Sequence, residues 1–330
     1  LNGPAACGLL GFALADSIYA ERVIVVTDNL VPFPCLPWQI QGNNVDVVVE
    51  VPSIGDPSKI VSGTTRITRS PDRLRIAELA ARFCAETGIL HDGFSFQAGA
   101  GGTTLAFAIY LRELMKERGV TASFARGGST KYMVEMLRDG LIGAILDGQT
   151  FDLDGVASMR EDPRHVDTSP FTSYNFHGKG NFASMVDVAV LGATEVDVHF
   201  NGNVVTHSDG RLLHGIGGWQ NCLAARTAML LVPSFRDRIP VIVDEVTTLC
   251  GPGELIDVVV TERGIAVNPR RQDLLDAVKG SDLPIRDIHD LKAELDRLCG
   301  VPGKIERTTD PVAVVKWVDG TVLDTVWRIG

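Results

Sequence analysis

The spacing of apolar and polar residues changes along the chain and predicts alternating strands and helices. Continuous β-branched runs at 22–28 (RVIVVTD) and 45–51 (VDVVVEV) are typical of strands buried on both faces of a mostly parallel sheet. Pro71 opens PDRLRIAELAARFCAE, a helical pattern with proline in its permitted first turn. Near the end, two alternating strands flank Asp319 and Gly320, which predicts a hairpin. The whole pattern predicts a layered α/β fold with ligands at the carboxyl ends of the strands.

The stretch FSFQAGAGGTTLAFAIYLRELMKERG, at 94–119, predicts a strand, a glycine-rich loop and a helix. The loop contains Gly99, Gly101 and Gly102, so backbone N–H groups at the helix N-terminus are open to a phosphate or carboxylate. Two standard motifs do not match, because the dinucleotide fingerprint needs glycine at Thr104 and the lysine of a P-loop is absent. The loop is either an anion site or a tight turn between a buried strand and its helix.

Composition narrows the classes of function. At 330 residues the chain is long enough for about two domains. Its formal charge of -10 and pI near 5.2 argue against a general nucleic-acid or membrane-surface binder. Its six cysteines lie far apart without a CxxC pair, so neither a zinc ribbon nor a disulfide framework is indicated. A reducing cytoplasm is therefore the expected compartment. The chain begins at Leu1 and not at methionine, and we expect it to be part of a longer protein.

Carboxylates follow two predicted buried strands. Glu195 and Asp197 end the strand pattern at 185–197, and Glu262 ends the pattern in VVVTERG. All three are expected at the rim of one cleft, where a glutamate can act as general base or nucleophile. Glu195 and Glu262 are therefore the candidate catalytic residues. The alternative is that Glu262 forms surface ion pairs with nearby arginines such as Arg263.

Other polar residues fall in turn-rich loops. Asparagines that offer both a donor and an acceptor to a carboxylate or amide are Asn201, Asn203 and Asn268. Three histidines share one loop region: His199, His207 and His214. Their spacing matches no short metal-ligand pattern, so no metal site is expected. No GxSxG elbow supports a serine nucleophile, and Ser129 is expected to cap the helix beginning near Thr130.

Four collinear stretches carry a family resemblance: GFSFQAGAGGTTLA, EVDVHFNGNVVTHSDG, RIPVIVDEVTTLCGPGELIDVVVTERGIAVNPRRQDLL and VVKWVDGTVLDTV. With NGPAACGLLGFALAD and VVTDNLVPFP near the start, they resemble the alpha subunit family of bacterial citrate lyase, the citrate:acyl-carrier transferase. The likeness covers essentially the whole chain. It implies a CoA-transferase-like (NagB/RpiA-like) layered α/β fold of mostly parallel sheets and flanking helices. Residues 1–65 would then end a first such domain, and residues 66–330 would form a second.

The resemblance also implies a reaction and its partners. Citrate replaces acetate on the thiol of an acyl-carrier gamma subunit, and a separate beta subunit then cleaves citryl-carrier to oxaloacetate and acetyl-carrier. The acyl donor is the carrier's phosphoribosyl-dephospho-CoA arm, or acetyl-CoA. No tightly bound cofactor, metal, nucleic acid or membrane is implied, and the subunits are expected to assemble into an oligomeric cytoplasmic complex. The glycine loop, with Gln97 and Thr103, would hold the arm or a substrate carboxylate.

Gln97 bears on the mechanism. In related CoA-transferases that form a glutamyl thioester, the nucleophilic glutamate lies two residues before the first loop glycine, and Gln97 takes that place here. Because an amide cannot be that nucleophile, citrate is expected to attack the acetyl thioester directly, through a mixed anhydride. Backbone N–H groups near Gly101 and Gly102 would stabilise the oxyanion.

The stretch GGWQN, from Gly217 and Gly218 to Asn221, bears on the substrate. Family members carry a histidine directly after the glycine pair and an aspartate two residues later, and both are replaced here by uncharged residues. The three residues remain candidates for substrate binding. The replacement leaves open citramalate or another hydroxy acid as substrate, or a non-catalytic scaffold that binds the carrier.

Overall fold

The computed structural model of the chain describes residues 1, 9–56, 66–99, 101–175, 180–303 and 305–330. Its α-helices are α1 (Ala13–Tyr19), α2 (Pro71–Glu86), α3 (Gly102–Arg118), α4 (Lys131–Arg138), α5 (Leu153–Glu161), α6 (Pro170–Ser173), α7 (Trp219–Cys222), α8 (Gln272–Ala277) and α9 (Ile288–Cys299). Its first strands are β1 (Ile24–Thr27), β2 (Val47–Glu50), β3 (Ser95–Ala98), β4 (Phe124–Ser129), β5 (Ile145–Thr150), β6 (His165–Asp167), β7 (Val188–Leu191), β8 (Glu195–Asp197) and β9 (Gly202–Asn203). The later strands are β10 (Thr227–Leu231), β11 (Phe235–Arg236), β12 (Ile239–Pro240), β13 (Ile242–Val243), β14 (Val258–Thr261), β15 (Gly264–Val267), β16 (Arg307–Lys316) and β17 (Val322–Ile329).

An eight-stranded sheet forms the centre of the fold, in the order β15-β14-β10-β7-β3-β4-β5-β6. Its strands are parallel except for the edge strand β15, which runs antiparallel to β14. Helices α2 and α3 cover one face through Phe83 and Phe107, and the elements after β7 cover the other through Trp219 and Leu291. The predicted α/β arrangement, a mostly parallel sheet with flanking helices, is confirmed.

The strands β1 and β2 pair in parallel but form a separate two-stranded sheet. The prediction that they are buried on both faces is wrong, since Ile24 is 61% exposed and every residue of β2 is exposed. A β-branched run predicts that a strand forms, whereas its burial depends on covering layers, which the described part of the chain does not supply.

The strands β16 and β17 form the predicted C-terminal hairpin. In its turn Gly320 has a φ of +91°, and its N–H donates to the carbonyl of Trp317. Val315 and Val326 are buried in the core that includes Trp219, so the hairpin closes that side of the molecule.

The predicted domain boundary after residue 65 lies outside the described residues, as does Cys7. Within the ranges that the structure describes, no helix has both the length and the apolar character needed to cross a membrane.

Candidate functional site

A cavity of about 300 Å³ opens at the carboxyl ends of the parallel strands. Seven of the glycines that the structure describes lie in its wall: Gly11 precedes α1, and the others come from the ends of β3, β4 and β5 and from the loop before α7, namely Gly99, Gly127, Gly128, Gly148, Gly217 and Gly218. Gly127 has a φ of +113°, and a Cβ there would lie 3.1 Å from the carbonyl oxygen of Ala98. Much of the wall is therefore bare backbone, as expected where a ligand approaches the main chain closely.

The glycine loop lies where the sequence predicted it, between β3 and α3. The hydroxyl of Thr104 donates to the carbonyls of Gly99 (2.7 Å) and Gly101 (2.8 Å), which holds the loop in a tight turn. Gly99 lines the cavity, whereas Gly101, Gly102 and Thr103 begin the adjacent helix without lining it. The tight turn is thus present, and anion binding by the loop remains a prediction.

Arg126 of β4 is the most unusual side chain near the cavity. It is fully buried, and none of its three guanidinium nitrogens has a hydrogen-bond partner among the described residues. Its neighbours along the strands, Phe96 and Ala125, belong to the core under α2 and α3, so Arg126 faces the opposite side of the sheet. A buried charge without a partner is strongly unfavourable, and such groups are typical of sites that await an opposite charge.

Gln97 lies directly beside Arg126, because the two residues are paired in the register of β3 and β4. Its side chain lines the cavity and is 6% exposed, and its Oε1 has no hydrogen-bond partner among the described residues. The site therefore combines an unpaired cation with an amide whose acceptor is unused. Such a pair can bind a carboxylate and an adjacent hydroxyl.

Tyr174 lines the cavity and contacts Arg126 through its ring. The guanidinium carbon lies 4.8 Å from the centre of the Tyr174 ring, and Phe12 stacks on that ring at 5.9 Å between centroids. Burial raises the pKa of the Tyr174 hydroxyl and of the Cys222 thiol, and the positive charge of Arg126 opposes both changes. Both groups line the cavity in neutral form, so Arg126 supplies its local positive charge.

A buried polar network lies behind the cavity wall. The carboxylate of Asp147 accepts hydrogen bonds from Ser129 Oγ (2.5 Å), Ser129 N (3.1 Å) and Gln149 N (3.0 Å), and it contacts His165 Nε2 at 3.0 Å. These bonds hold the irregular register between β4 and β5 that places Gly148 in the wall. Burial raises the pKa of Asp147, and the hydrogen bonds from His165 and Ser129 oppose that rise. The prediction that Ser129 caps a helix is wrong: it ends β4, and its hydroxyl is committed to Asp147.

Ser158 extends this network and gives it the appearance of a catalytic triad. Its hydroxyl lies 2.9 Å from His165 Nδ1, so hydroxyl, imidazole and Asp147 carboxylate form one chain. Ser158 is 2% and His165 3% exposed, and neither lines the cavity. A nucleophile must reach its substrate, so we assign the network to positioning the wall.

Glu195 and its neighbours lie apart from the cavity. The predicted strand at 185–197 is divided, because β7 ends at Leu191 in the central sheet and Glu195 begins β8 in a small sheet with β9 and β13. The Glu195 carboxylate accepts from Asn203 Nδ2 (2.9 Å), Thr247 N (2.8 Å) and Thr247 Oγ1 (2.9 Å). These bonds fix the local turns, and the catalytic role of Glu195 remains a prediction.

Asp197 and Asn201 form a second internal cluster in the same loop region. Asp197 accepts from the N–H groups of His199 and Asn201, each at 2.9 Å, and from Asn201 Nδ2 at 3.0 Å. Asn201 Oδ1 in turn accepts from Gly253 N at 2.8 Å. Within the described ranges, no group of three or more His, Cys, Asp or Glu side chains could hold a metal ion, and this includes His199, His207 and His214.

Glu262 lies on the same edge of the sheet as the cavity, at the end of β14 and two strands beyond β7. Its Oε2 accepts from Ser234 N at 3.0 Å, its Oε1 contacts the Ser234 hydroxyl, and Arg263 Nε lies 3.4 Å from Oε1. The ion pair with Arg263 that the sequence left open is therefore present. A catalytic role for Glu262 would require it to leave these partners.

The two remaining candidates are asparagines with structural contacts. Asn268 follows the antiparallel strand β15 at the opposite edge of the sheet, and its Nδ2 donates to the carbonyls of Gly253 and Ile256, each at 2.9 Å. Asn221 lies in α7 beside the cavity, and its Nδ2 donates to the Tyr174 carbonyl at 3.3 Å. Of these two asparagines, only Asn221 is therefore connected to the cavity, through Tyr174.

Comparison with known proteins identifies the family. A family model described as citrate lyase, alpha subunit (CitF), matches residues 1–329. The chain belongs to the citrate lyase alpha subunit family. It is 40% identical over 329 residues to the citrate lyase alpha chain of Haemophilus influenzae and 39% identical to that of Klebsiella pneumoniae, and both matches cover 99% of the chain. The resemblance seen in the sequence is confirmed. The chain spans 66% and 65% of the lengths of these two relatives.

Solved structures agree with the family. The alpha subunit of citrate lyase from Streptococcus mutans, in complex with citrate, is 40% identical with a TM-score of 0.93, covering 100% of this chain and 65% of that chain. A malonate decarboxylase alpha subunit from Acinetobacter baumannii is 17% identical with a TM-score of 0.57, covering 86% of this chain and 61% of that one. At that identity the second similarity shows a shared fold alone.

Sequence reasoning missed Arg126 and Tyr174. Arg126 interrupts an otherwise apolar strand pattern in TASFARGG, directly before two glycines, and a charge inside a buried strand is a usable signal. Tyr174 gives no comparable signal, because its position over Arg126 depends on contacts between segments far apart in sequence.

Proposed function

We propose that this chain performs the transferase step of citrate lyase, the exchange of acetate for citrate on the thioester of an acyl carrier protein or of CoA. The observation that carries the proposal is the buried, unpaired guanidinium of Arg126 behind the cavity wall, beside the unused acceptor of Gln97. A planar guanidinium binds a carboxylate through two parallel hydrogen bonds. The citrate complex of the Streptococcus mutans relative supports citrate as the acid.

In the proposed reaction a carboxylate oxygen of citrate attacks the acetyl thioester carbonyl. The tetrahedral intermediate collapses and the C–S bond breaks. The carrier thiolate departs with the electron pair of that bond, and a mixed anhydride of acetate and citrate remains. The thiolate then attacks the citryl carbonyl of the anhydride, and acetate leaves with its electron pair. The products are citryl thioester and acetate, with no net change in protons or oxidation state.

The described residues supply positioning and electrostatic stabilisation. Arg126 neutralises the citrate carboxylate and the Gln97 amide donates to the developing oxyanion, while Gly101 and Gly102 lie at the adjacent helix N-terminus, outside the cavity lining. Among the described residues that line the cavity there is no aspartate or glutamate. This supports direct exchange in a ternary complex over a covalent enzyme intermediate.

A second candidate substrate is favoured by the part of the cavity wall that α7 forms. Trp219 occupies this wall and donates its indole N–H to the Gly192 carbonyl at 2.7 Å, so that donor is not available to a substrate. With Cys222 neutral beside it, the wall offers no charge to an additional carboxylate. Citramalate, which has one carboxylate fewer than citrate, is the alternative acid. A carrier-binding scaffold without turnover is the alternative from another class.

The remaining architecture is inferred from the family. We place the chain in the CoA-transferase-like (NagB/RpiA-like) fold, with residues 1–65 ending one domain and 66–330 forming another. The exposed valines of β1 and β2 support this division, since parallel strands are ordinarily covered on both faces. The carrier gamma subunit and the lyase beta subunit are the proposed partners in a cytoplasmic complex.

The test uses the natural full-length subunit with acetyl-CoA and either citrate or citramalate, and mass spectrometry identifies the new thioester. Citryl-CoA is expected with the native subunit and not with Arg126→Gln. Arg112→Gln is the matched control, because Arg112 is paired with Glu135 and Asp139 away from the cavity. If only citramalyl-CoA forms, the substrate is citramalate and not citrate. If the subunit binds the carrier but forms no new thioester, the scaffold function is favoured. A hydroxylamine-sensitive acyl-enzyme would contradict direct exchange.

A further inference from the structure

The hydroxyl of Tyr174 is a polar group in the cavity that the chain itself does not use. Tyr174 lines the cavity, and its backbone carbonyl accepts from Asn221 Nδ2, but its hydroxyl makes no hydrogen bond within the described residues. The nearby guanidinium of Arg126 contacts the ring, and its nitrogens have no hydrogen-bond partner there either. The cavity therefore has an unused donor next to an unpaired cation.

Two glycines keep the space around this hydroxyl free of side chains. A Cβ on Gly218 would lie 2.9 Å from the hydroxyl oxygen of Tyr174, and a Cβ on Gly148 would lie 4.0 Å from it. Gly218 has a φ of -86°, a value that any residue adopts, so its backbone conformation does not require glycine. What glycine provides there is room for the tyrosine, and the hydroxyl is open to a ligand on this side.

The position of the ring is fixed from several directions. Ser173 Oγ donates to Thr168 Oγ1 at 2.9 Å, and Thr168 Oγ1 donates to the carbonyl of Asp147 at 2.7 Å, so the end of α6 is tied to the end of β5. Phe12 of the segment before α1 stacks on the ring with an angle of 11° between the planes. A donor that is already held in place loses little conformational freedom when a ligand binds.

The chemistry of the hydroxyl suits an anion. Burial raises the pKa of Tyr174, so the hydroxyl keeps its proton at neutral pH and can donate it in a hydrogen bond. The charge of Arg126 acts on the same hydroxyl and attracts carboxylates to its vicinity. A hydrogen bond to a charged acceptor is stronger than one between neutral groups, so a carboxylate gains from both side chains.

We propose that the Tyr174 hydroxyl donates a hydrogen bond to the substrate carboxylate that Arg126 neutralises, which makes Tyr174 a substrate-binding residue. The inference rests on the proposed function, which places an organic acid beside Arg126. Arg126 supplies charge, which attracts any anion, whereas the fixed hydroxyl supplies direction. Together they select a carboxylate that approaches from the side of Gly218.

The first test is calorimetric binding of citrate, and separately of CoA, to the natural full-length subunit. Tyr174→Phe keeps the ring and removes the hydroxyl, and it is expected to weaken citrate binding about tenfold or more. CoA binding and the unfolding midpoint should stay unchanged, because the hydroxyl makes no bond within the described residues. The matched control is Tyr110→Phe, since Tyr110 packs against the core under α2 and α3 and not at the cavity. An equal loss of CoA binding in Tyr174→Phe would overturn the inference.

Two further variants separate the hydroxyl from the ring. If Tyr174→Phe binds citrate as tightly as the native subunit and only Tyr174→Leu loses binding, packing of the ring is what matters and the inference fails. Gly218→Ala places a Cβ against the hydroxyl and should weaken citrate binding, with Gly215→Ala, which has nothing within 4 Å, as its control. An unchanged affinity in Gly218→Ala would also contradict the proposal, and this variant serves if Tyr174→Phe fails to fold.

The same titrations with citramalate complete the test. If citramalate is the acid that binds, its affinity should depend on Tyr174 in the same way. If the native subunit binds neither acid, the inference is overturned. Because binding is measured without an acyl donor, a native subunit that binds an acid but forms no new thioester would count against the proposed function alone.

Discussion

Replacement of Arg126 by methionine should change stability and function in opposite directions. The native guanidinium is fully buried with three unpartnered nitrogens, and each unsatisfied buried polar group costs about 1–3 kcal/mol. Methionine keeps a comparable length of apolar side chain but loses the contact with the Tyr174 ring, which is worth about 1–2 kcal/mol. We expect Arg126→Met to raise the free energy of unfolding by about 2 kcal/mol, within the range of about 1–4 kcal/mol for apolar replacement of buried charges.

The measurements are urea unfolding, for stability, and calorimetric binding of citrate. A gain of this size corresponds to a rise of about 3 °C in the thermal unfolding midpoint of a 330-residue chain, while citrate binding should weaken by about 30-fold or more. Arg112→Met is the control with the opposite sign, because it leaves Glu135 and Asp139 without their cation and should lower stability. If Arg126→Met destabilises the chain and citrate still binds, then Arg126 is a structural residue and the proposed site is wrong.

Two further predictions concern the cavity wall and pH. Gly128→Ala places a Cβ 1.7 Å from the ring of Phe151, so we expect a loss of about 1–3 kcal/mol in unfolding experiments, whereas Gly215→Ala, with nothing within 4 Å, should be neutral. Hydrogen bonds from Arg286 and Arg263 lower the pKa of Glu294, so its stabilising contribution is present at neutral pH and is lost as pH falls through that lowered pKa. Glu294→Gln should therefore reduce stability at pH 7 and have progressively less effect below about pH 4, measured by urea unfolding; an equal effect at both would contradict the ion-pair assignment.

The sequence predicted the parts of the fold that follow from local spacing. The strand, glycine loop and helix at 94–119 appear as β3, the loop and α3, and Gly119 ends the helix with a φ of +62°. The helix from Pro71 and the C-terminal hairpin also follow from local rules of proline placement and turn formation. These rules act between residues a few positions apart, so one sequence contains the necessary information.

The candidate site was harder to predict, because it depends on which strands are neighbours. Glu195 ends an apolar run that reads as one strand, yet the chain leaves the central sheet at Gly192, and Glu195 turns into internal hydrogen bonds. Arg126 becomes notable only when β3 and β4 pair and place it beside Gln97 without an acid nearby. Pattern and spacing identify polar residues near strand ends, but they do not show which of those residues are already satisfied.

In this structure the candidate acids are satisfied by hydrogen bonds, whereas two cations near the cavity lack an acidic partner in the part of the chain that the structure describes. The carboxylates that the sequence suggested, Glu195 and Glu262, each accept hydrogen bonds from within the described chain, so recruiting either as a nucleophile would first break those bonds. The cations Arg126 and Arg236 lie near the same edge without an acid partner among the described residues. The unpaired guanidinium of Arg126 thus places a positive charge at this edge of a chain whose formal net charge is -10. This charge supports the proposed reaction between a bound carboxylate and a bound thioester over covalent catalysis by the protein's own acids.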